Sequence, residues 1–140
     1  MAATSLARLR RICLALPEAE EIETWDTPTF RIRGKIFALV GTRGEVPSVW
    51  LKAPPGSQEL LVAAAPERFF RPPYLGHKGW IGVVLAGRVD WEEMTALVRR
   101  SFGLVAPQRV AAGMARDDGP RPRPSPAGGG GRRKERAGSR

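Results

Sequence analysis

The chain is poor in the residues from which reactive sites are usually built. Cys13 is its only cysteine and His77 its only histidine. An internal disulfide and a cysteine-based zinc site are therefore excluded. A histidine pair for metal is excluded too, and no nucleophile or second titratable group is spaced to work with His77. Cys13 falls on the apolar side of an expected helix and reads as a buried thiol. No apolar run approaches the roughly 18 residues of a membrane span. The short run Ile12-Cys13-Leu14-Ala15-Leu16 is cut by Pro17-Glu18 and lacks a small-residue cleavage site, so it does not read as a signal peptide. A cytoplasmic protein without a membrane segment is expected.

Acidic residues are also in the minority, 14 Asp and Glu against 23 Lys and Arg, for a net charge of +9. The excess is uneven. Arg116, Arg121, Arg123, Arg132, Arg133, Lys134, Arg136 and Arg140 face only Asp117, Asp118 and Glu135, so five of the nine net charges lie after residue 115. In the same region Pro120, Pro122, Pro124 and Pro126 alternate with Arg and Ser before the glycines 128–131. Such a composition cannot bury enough apolar surface to offset the entropy of ordering, which predicts a disordered basic tail over 113–140 behind one domain, 1–112. That domain is only mildly basic.

Within the domain the periodicities predict a helix, three strands, a helix, two strands and a helix. Leu6, Leu9, Ile12, Cys13 and Leu16 recur at helical spacing, with Thr4 or Ser5 as N-cap and Pro17 as the stop. Glu18, Glu20, Glu21 and Glu23 follow, and their mutual repulsion suggests a solvated connection. Thr29 to Arg33 and Lys35 to Val40 read as a hairpin about Gly34 that puts Phe30, Ile32, Phe37 and Leu39 on one face. Residues 41–46 are expected to be loop and Ser48 to Ala53 the third strand. Ser57 to Ala65 is a short helix ended by Pro66, and Arg68 to Arg71 an extended edge piece held there by Pro72-Pro73. A glycine-rich loop, Leu75 to Gly79, leads into a strand at Trp80 to Leu85. Asp90, followed three residues later by Glu93, marks a capping box for a helix whose stripe is Trp91, Met94, Leu97, Val98 and Phe102. Gly103 is expected to stop it, with Leu104 to Pro107 packing back. Short connections between alternating strands argue for an α+β fold, two layers, with helices on one face of an antiparallel sheet.

Four stretches in order resemble the MmcQ/YjbR family. They are Glu23-Thr24-Trp25 with Pro28 to Ala38, then Trp50-Leu51-Lys52-Ala53-Pro54-Pro55-Gly56, Pro73 to Val83, and Asp90-Trp91 with Ala106 to Arg109. The similarity runs from about Leu6 to Val110. It implies a small antiparallel domain of the kind compared with secretion chaperones and frataxin-like proteins, with a DNA-binding label. It implies no catalytic set, and the basic tail lies outside the pattern.

The residues themselves offer two binding readings. Arg31, Arg33 and Lys35 cluster on and beside one hairpin, which can lie along a nucleic-acid backbone or enter a major groove. Lys52 can extend that patch, His77 and Lys78 can contact phosphate from their loop, and Arg132, Arg133 and Lys134 can add sequence-independent charge. A charged outer face on a half-exposed sheet is the ordinary alternative. The glycines at 76, 79 and 82 precede a strand, whereas a phosphate-binding loop needs strand, glycines, then helix. The second reading is protein–protein interaction, with a partner or a second copy docking on Trp50, Ile36, Ala38 and Val40. Neither reading calls for a metal, a small-molecule cofactor or an enzymatic activity.

Overall fold

Six strands form one antiparallel sheet in the order β1-β2-β3-β4-β6-β5, and the helices lie mainly on one face of it. The structure, a computed structural model, describes residues 2–24 and 26–118, with side chains described for 5–24 and 26–113. The elements are α1 (Ala2–Leu14), β1 (Ala19–Thr24), β2 (Thr27–Ile32), β3 (Lys35–Arg43), β4 (Val46–Leu51), α2 (Ser57–Ala64), β5 (Phe69–Phe70), β6 (Ile81–Val84), α3 (Trp91–Val105) and α4 (Gln108–Asp118). A short 3-10 turn occupies Gly76–Lys78. Residues 1–108 form one compact unit and those from Arg109 onward are assigned to a second. The fold is α+β with an antiparallel sheet, as the alternation and short turns imply.

Several elements differ from the sequence-based expectation. The acidic stretch is a strand, not a connection: β1 pairs with β2 over six residues, from Ala19 opposite Ile32 to Thr24 opposite Thr27. Its carboxylates are tolerated because two of them are paired. Arg10 of α1 donates to both oxygens of Glu21 at 2.7 and 2.9 Å, and Arg33 to both oxygens of Glu18 at 2.9 and 3.1 Å. The row of glutamates at an open sheet edge also discourages pairing with another chain. Residues 41–46 are not loop either. β3 continues to Arg43, and a two-residue turn at Gly44-Glu45 returns the chain at Val46. α1 starts before Thr4 and Ser5, which are helical rather than capping. Gly103 lies inside α3, exposed, and the helix continues to Val105 before Pro107 stops it. α4 runs across the expected boundary at 112/113, and residues 119–140 of the expected tail, with Arg132, Arg133 and Lys134, lie outside the described residues.

The β2–β3 hairpin turns at Arg33-Gly34, both with positive φ (51° and 82°), as a type I′ turn demands. Past the turn the register slips: Arg31 faces Ile36, but Phe30 faces Ala38, so Phe37 is an extra residue in β3. This β-bulge sends Phe37 into the core, where it is fully buried and meets Phe102 edge-on, ring centroids 5.2 Å apart. Its carbonyl accepts a 2.6 Å hydrogen bond from the buried Ser101 hydroxyl of α3, and the Ser101 hydroxyl oxygen in turn accepts from the Lys52 amide at 2.9 Å. Because side chains alternate along a strand, the extra residue exchanges the faces of everything after it. Ala38 and Val40 pair with Leu51 and Val49 and share the core face, while Leu39 faces outward opposite Trp50. The expectation that Leu39 is core and that Ala38 and Val40 are outward is overturned.

The core thus lies between the inner sheet face (Phe30, Ile32, Phe37, Val49, Leu51, Ile81) and Leu9 and Cys13 of α1 with Met94, Val98 and Phe102 of α3. Asp90 accepts the Glu93 amide at 3.0 Å, as its position in the sequence predicts. The reciprocal half of the capping box is replaced, since the Glu93 carboxylate is bound by Arg68. Gln58 of α2, buried, donates to the carbonyls of Gly76 (2.9 Å) and Trp80 (2.6 Å), anchoring the loop that precedes β6.

Candidate functional site

The outer sheet face is where the fold leaves room. Strand registers align one row of residues across it: Ile22, Thr29, Leu39, Trp50, Gly82 and Phe70. Gly82 is required there because a β-carbon would come within 2.3 Å of the Phe70 ring. Gly41 is required one step along, where a β-carbon would lie 2.6 Å from the Trp50 indole. The indole thus lies close over the backbone of β3, and its Nε1 donates to the buried Ser48 hydroxyl at 3.0 Å. With its only polar atom satisfied, Trp50 presents an apolar surface.

Over this floor is an open groove of about 720 Å³. Ile36, Leu39 and Trp50 line it from the sheet, the half-buried Val40 borders it although its register pairs it with core-facing Val49, Thr24, Thr27, Thr29 and Thr42 edge it, and Pro73, Tyr74 and Leu75 reach it from the loop before β6. Among the described residues, no charged one lines it. Tyr74 is 86% exposed and held at φ 68°, an uncommon conformation for a bulky residue. The Thr29 hydroxyl donates to the Ile22 carbonyl (2.6 Å) and accepts from Arg31 (3.1 Å), so its hydrogen bonds are made within the protein.

Among the described residues, the basic residues expected to meet nucleic acid are not brought together as one free patch. Arg31, half-buried, donates to Thr29 Oγ1, to Thr24 Oγ1 at 3.0 Å and to the Gly34 carbonyl at 3.4 Å. It clamps the β1–β2–β3 corner. Arg33 sits in the turn, paired with Glu18, and that hydrogen-bonded pair raises its pKa further above the usual value. Lys35 is exposed beside the turn, Lys52 is half-buried just past β4, and His77 and Lys78 are exposed in the 3-10 turn. Of the apolar set expected with Trp50, Ile36 faces outward, and Leu39 takes the place given to Ala38 and Val40. Leu39 was missed because nothing local announces the bulge.

A second concavity, between α1 and α3 on the helical side, went unnoticed. Arg8 and Arg11 of α1 and Trp91, Glu92, Thr95 and Arg99 of α3 line an open cleft of about 590 Å³. The Arg8 guanidinium lies 4.9 Å from the centroid of the Trp91 ring. The spacing of 91, 95 and 99 places three lining residues on one helix face, a legible signal had α1 been known to pack there.

Cys13, fully buried under α1, has its thiol pKa pushed up to about 12, first by burial and then by the nearby charge of Glu21. It is a core thiol and no nucleophile. Among the described residues no cluster of His, Cys, Asp or Glu could hold a metal ion, and no helix is long and apolar enough to cross a membrane.

Comparison with known proteins agrees with the fold. The family model described as YjbR matches residues 14–104. Among solved structures, that of Deinococcus radiodurans protein DR2400, with a DUF419 domain, is similar to this chain at 29% identity and a TM-score of 0.62. The alignment covers 71% of this chain and 76% of that one. No curated protein matches.

Proposed function

The chain belongs to the YjbR family, and from that footing we propose that it is a non-enzymatic binding protein of the cytoplasm whose outer sheet face receives an apolar segment of a partner protein. The observation that carries this reading is the uncharged groove over Leu39 and Trp50, walled by Tyr74 and Leu75. Its size is within the roughly 300–1,000 Å³ of small binding pockets, and its lining is apolar with a few hydroxyls. Anchoring aromatics with satisfied polar atoms, such as Trp50, are what central interface positions commonly hold. The test is selection from a displayed peptide library on the full chain and on Leu39→Asp. Peptides sharing apolar anchors should bind the wild-type chain and lose binding to the variant. Equal recovery on both proteins rules the groove out. A second copy is one such partner, and a monomer at all concentrations in sedimentation excludes that version.

DNA binding is the second reading, favoured by the net charge of +9 and by the three arginines gathered between α1 and α3. On this reading the main contact is shifted away from the hairpin. Arg31 donates to Thr24, Thr29 and the Gly34 carbonyl, Arg33 is paired with Glu18 at the surface and the adjoining β1 edge is acidic, leaving Lys35, His77 and Lys78 as secondary contacts with Arg132, Arg133 and Lys134. Electrophoretic mobility shift of a duplex by the full chain tests it, with Arg31→Ala and Arg33→Ala expected to matter little. Loss of binding in those two variants would return the contact to the hairpin.

A further inference from the structure

The free edge of β1 is a surface apart from both the groove and the cleft. β1 is the outermost strand of the sheet, and among the described residues no strand pairs along its other side. Alternate residues of such a strand direct their amides and carbonyls away from the sheet, with no ladder to join. The charge here is out of keeping with the rest of the chain. Five of the 14 acidic residues, Glu18, Glu20, Glu21, Glu23 and Asp26, fall within 18–26, where no Lys or Arg occurs, in a protein of net charge +9. Arg33 and Arg10 bind Glu18 and Glu21. Glu20, Glu23 and Asp26 are exposed and make no ion pair among the described residues. Glu20 stands opposite Arg31 on the outward face, but the Arg31 donors go to Thr24, Thr29 and the Gly34 carbonyl. Glu23 stands opposite Pro28 on the other face, and the outward Ile22 between them is 39% exposed. Like charges set against each other destabilise a strand pair, and opposite charges stabilise it. A second β1 laid on this edge would bring glutamates toward glutamates, whereas a strand bearing Lys or Arg is drawn to it. The edge thus rejects one kind of strand and selects another.

We propose that β1 receives an extended basic segment of a partner protein as a seventh strand of the sheet. Main-chain hydrogen bonds along Ala19–Thr24 supply the pairing, and Lys or Arg side chains opposite Glu20 and Glu23 supply the selectivity. A β-branched residue between them covers Ile22. Six residues of strand span about 20 Å, so a segment of that length occupies the whole edge. The site does not rest on the groove over Trp50, since none of Glu20, Ile22 and Glu23 lines it.

The probe is the capped peptide Thr-Lys-Val-Thr-Arg-Val, whose antiparallel register sets Lys against Glu23, Val against Ile22 and Arg against Glu20. It is titrated into the full chain labelled with nitrogen-15. Amide shifts should centre on residues 19–24, and the outward amides of β1 should exchange more slowly in the complex. Glu20→Gln/Glu23→Gln changes two exposed side chains, leaves the melting temperature unmoved and should weaken binding roughly 2- to 30-fold, as expected for two lost cross-strand charge pairs. Two further peptides carry N-methyl groups on one or the other alternate set of backbone nitrogens. Only one set faces β1, so one peptide should lose binding and the other keep it. Equal binding by both means charge attraction without strand pairing and overturns the proposal. So does equal affinity of the double variant, or no shift at the highest soluble peptide concentration. Shifts centred on Leu39, Trp50 and Tyr74 assign the peptide to the groove and overturn it too. Slowed exchange at 19–24 that grows with protein concentration, without peptide, makes a second copy the occupant and is equally fatal.

Discussion

Ser101→Ala removes a single oxygen that serves two distant segments, and its cost can be worked from the structure. The hydroxyl donates to the Phe37 carbonyl at the bulge and accepts the Lys52 amide beyond β4. Phe37 is fully buried, so water does not replace the lost donor at its carbonyl, and the cost is about 1–3 kcal/mol. The Lys52 amide is partly exposed and recovers water, so its loss is nearer the net value of an ordinary hydrogen bond, about 1 kcal/mol. Alanine is the better helix former, which returns up to about 0.5 kcal/mol. The net expectation is a destabilisation of about 2 kcal/mol, or roughly 8 °C in Tm for a domain of this size. Urea unfolding followed by tryptophan fluorescence measures it, with an unchanged m-value showing that the same surface is exposed. A loss below about 0.5 kcal/mol would refute the reasoning, because the bulge would then hold its geometry without α3.

Three further outcomes are expected. Gly82→Ala should destabilise by about 1–3 kcal/mol through overpacking against Phe70, and Phe70→Ala should offset part of this; a double-mutant cycle with no coupling would contradict the contact. Asp90→Ala should cost about 1 kcal/mol and Asp90→Asn almost nothing, as expected of an N-cap, with thermal unfolding as the measure. For Cys13 the folded pKa is raised to about 12 from 9.0, so the unfolded chain ionises first as pH rises. Stability is therefore intact below about pH 9 and is lost toward pH 12 by about 1.4 kcal/mol per unit. Cys13→Ala should lack that component of the alkaline slope; equal slopes in the two proteins would show that the thiol is accessible when folded.

What the chain disclosed by itself were features whose causes lie within a few residues. The Asp90 cap needs only the amide three residues on, and the turn at Gly34 only positive φ. The stripe of Met94, Val98 and Phe102 follows from 3.6 residues per turn, and the edge position of Phe69-Phe70 from the prolines behind it. The family motifs in order carried the fold class in the same way. Of the two candidate sites, Trp50 was legible as an outward aromatic and Ile36 as its neighbour. That Arg8 and Arg11 share a cleft with Arg99 was not legible, since nothing in either helix says which one it faces.

Tertiary structure decided the rest. The glutamates at 18 and 21 looked like part of a solvated link because their partners, Arg33 and Arg10, are 15 and 11 residues away along the chain. The composition of the groove turned on a single inserted residue. Two consecutive residues, Phe37 and Ala38, can both face the core only where the ladder is interrupted. That interruption is held by the ring of Phe102 and by the hydroxyl of Ser101, 64 residues from the carbonyl it satisfies. With a side-chain period of two, that one residue turns Leu39 outward to Trp50 and Ala38 inward. No local pattern can report it, because the free energy that selects it belongs to contacts formed only when the helix lies on the sheet.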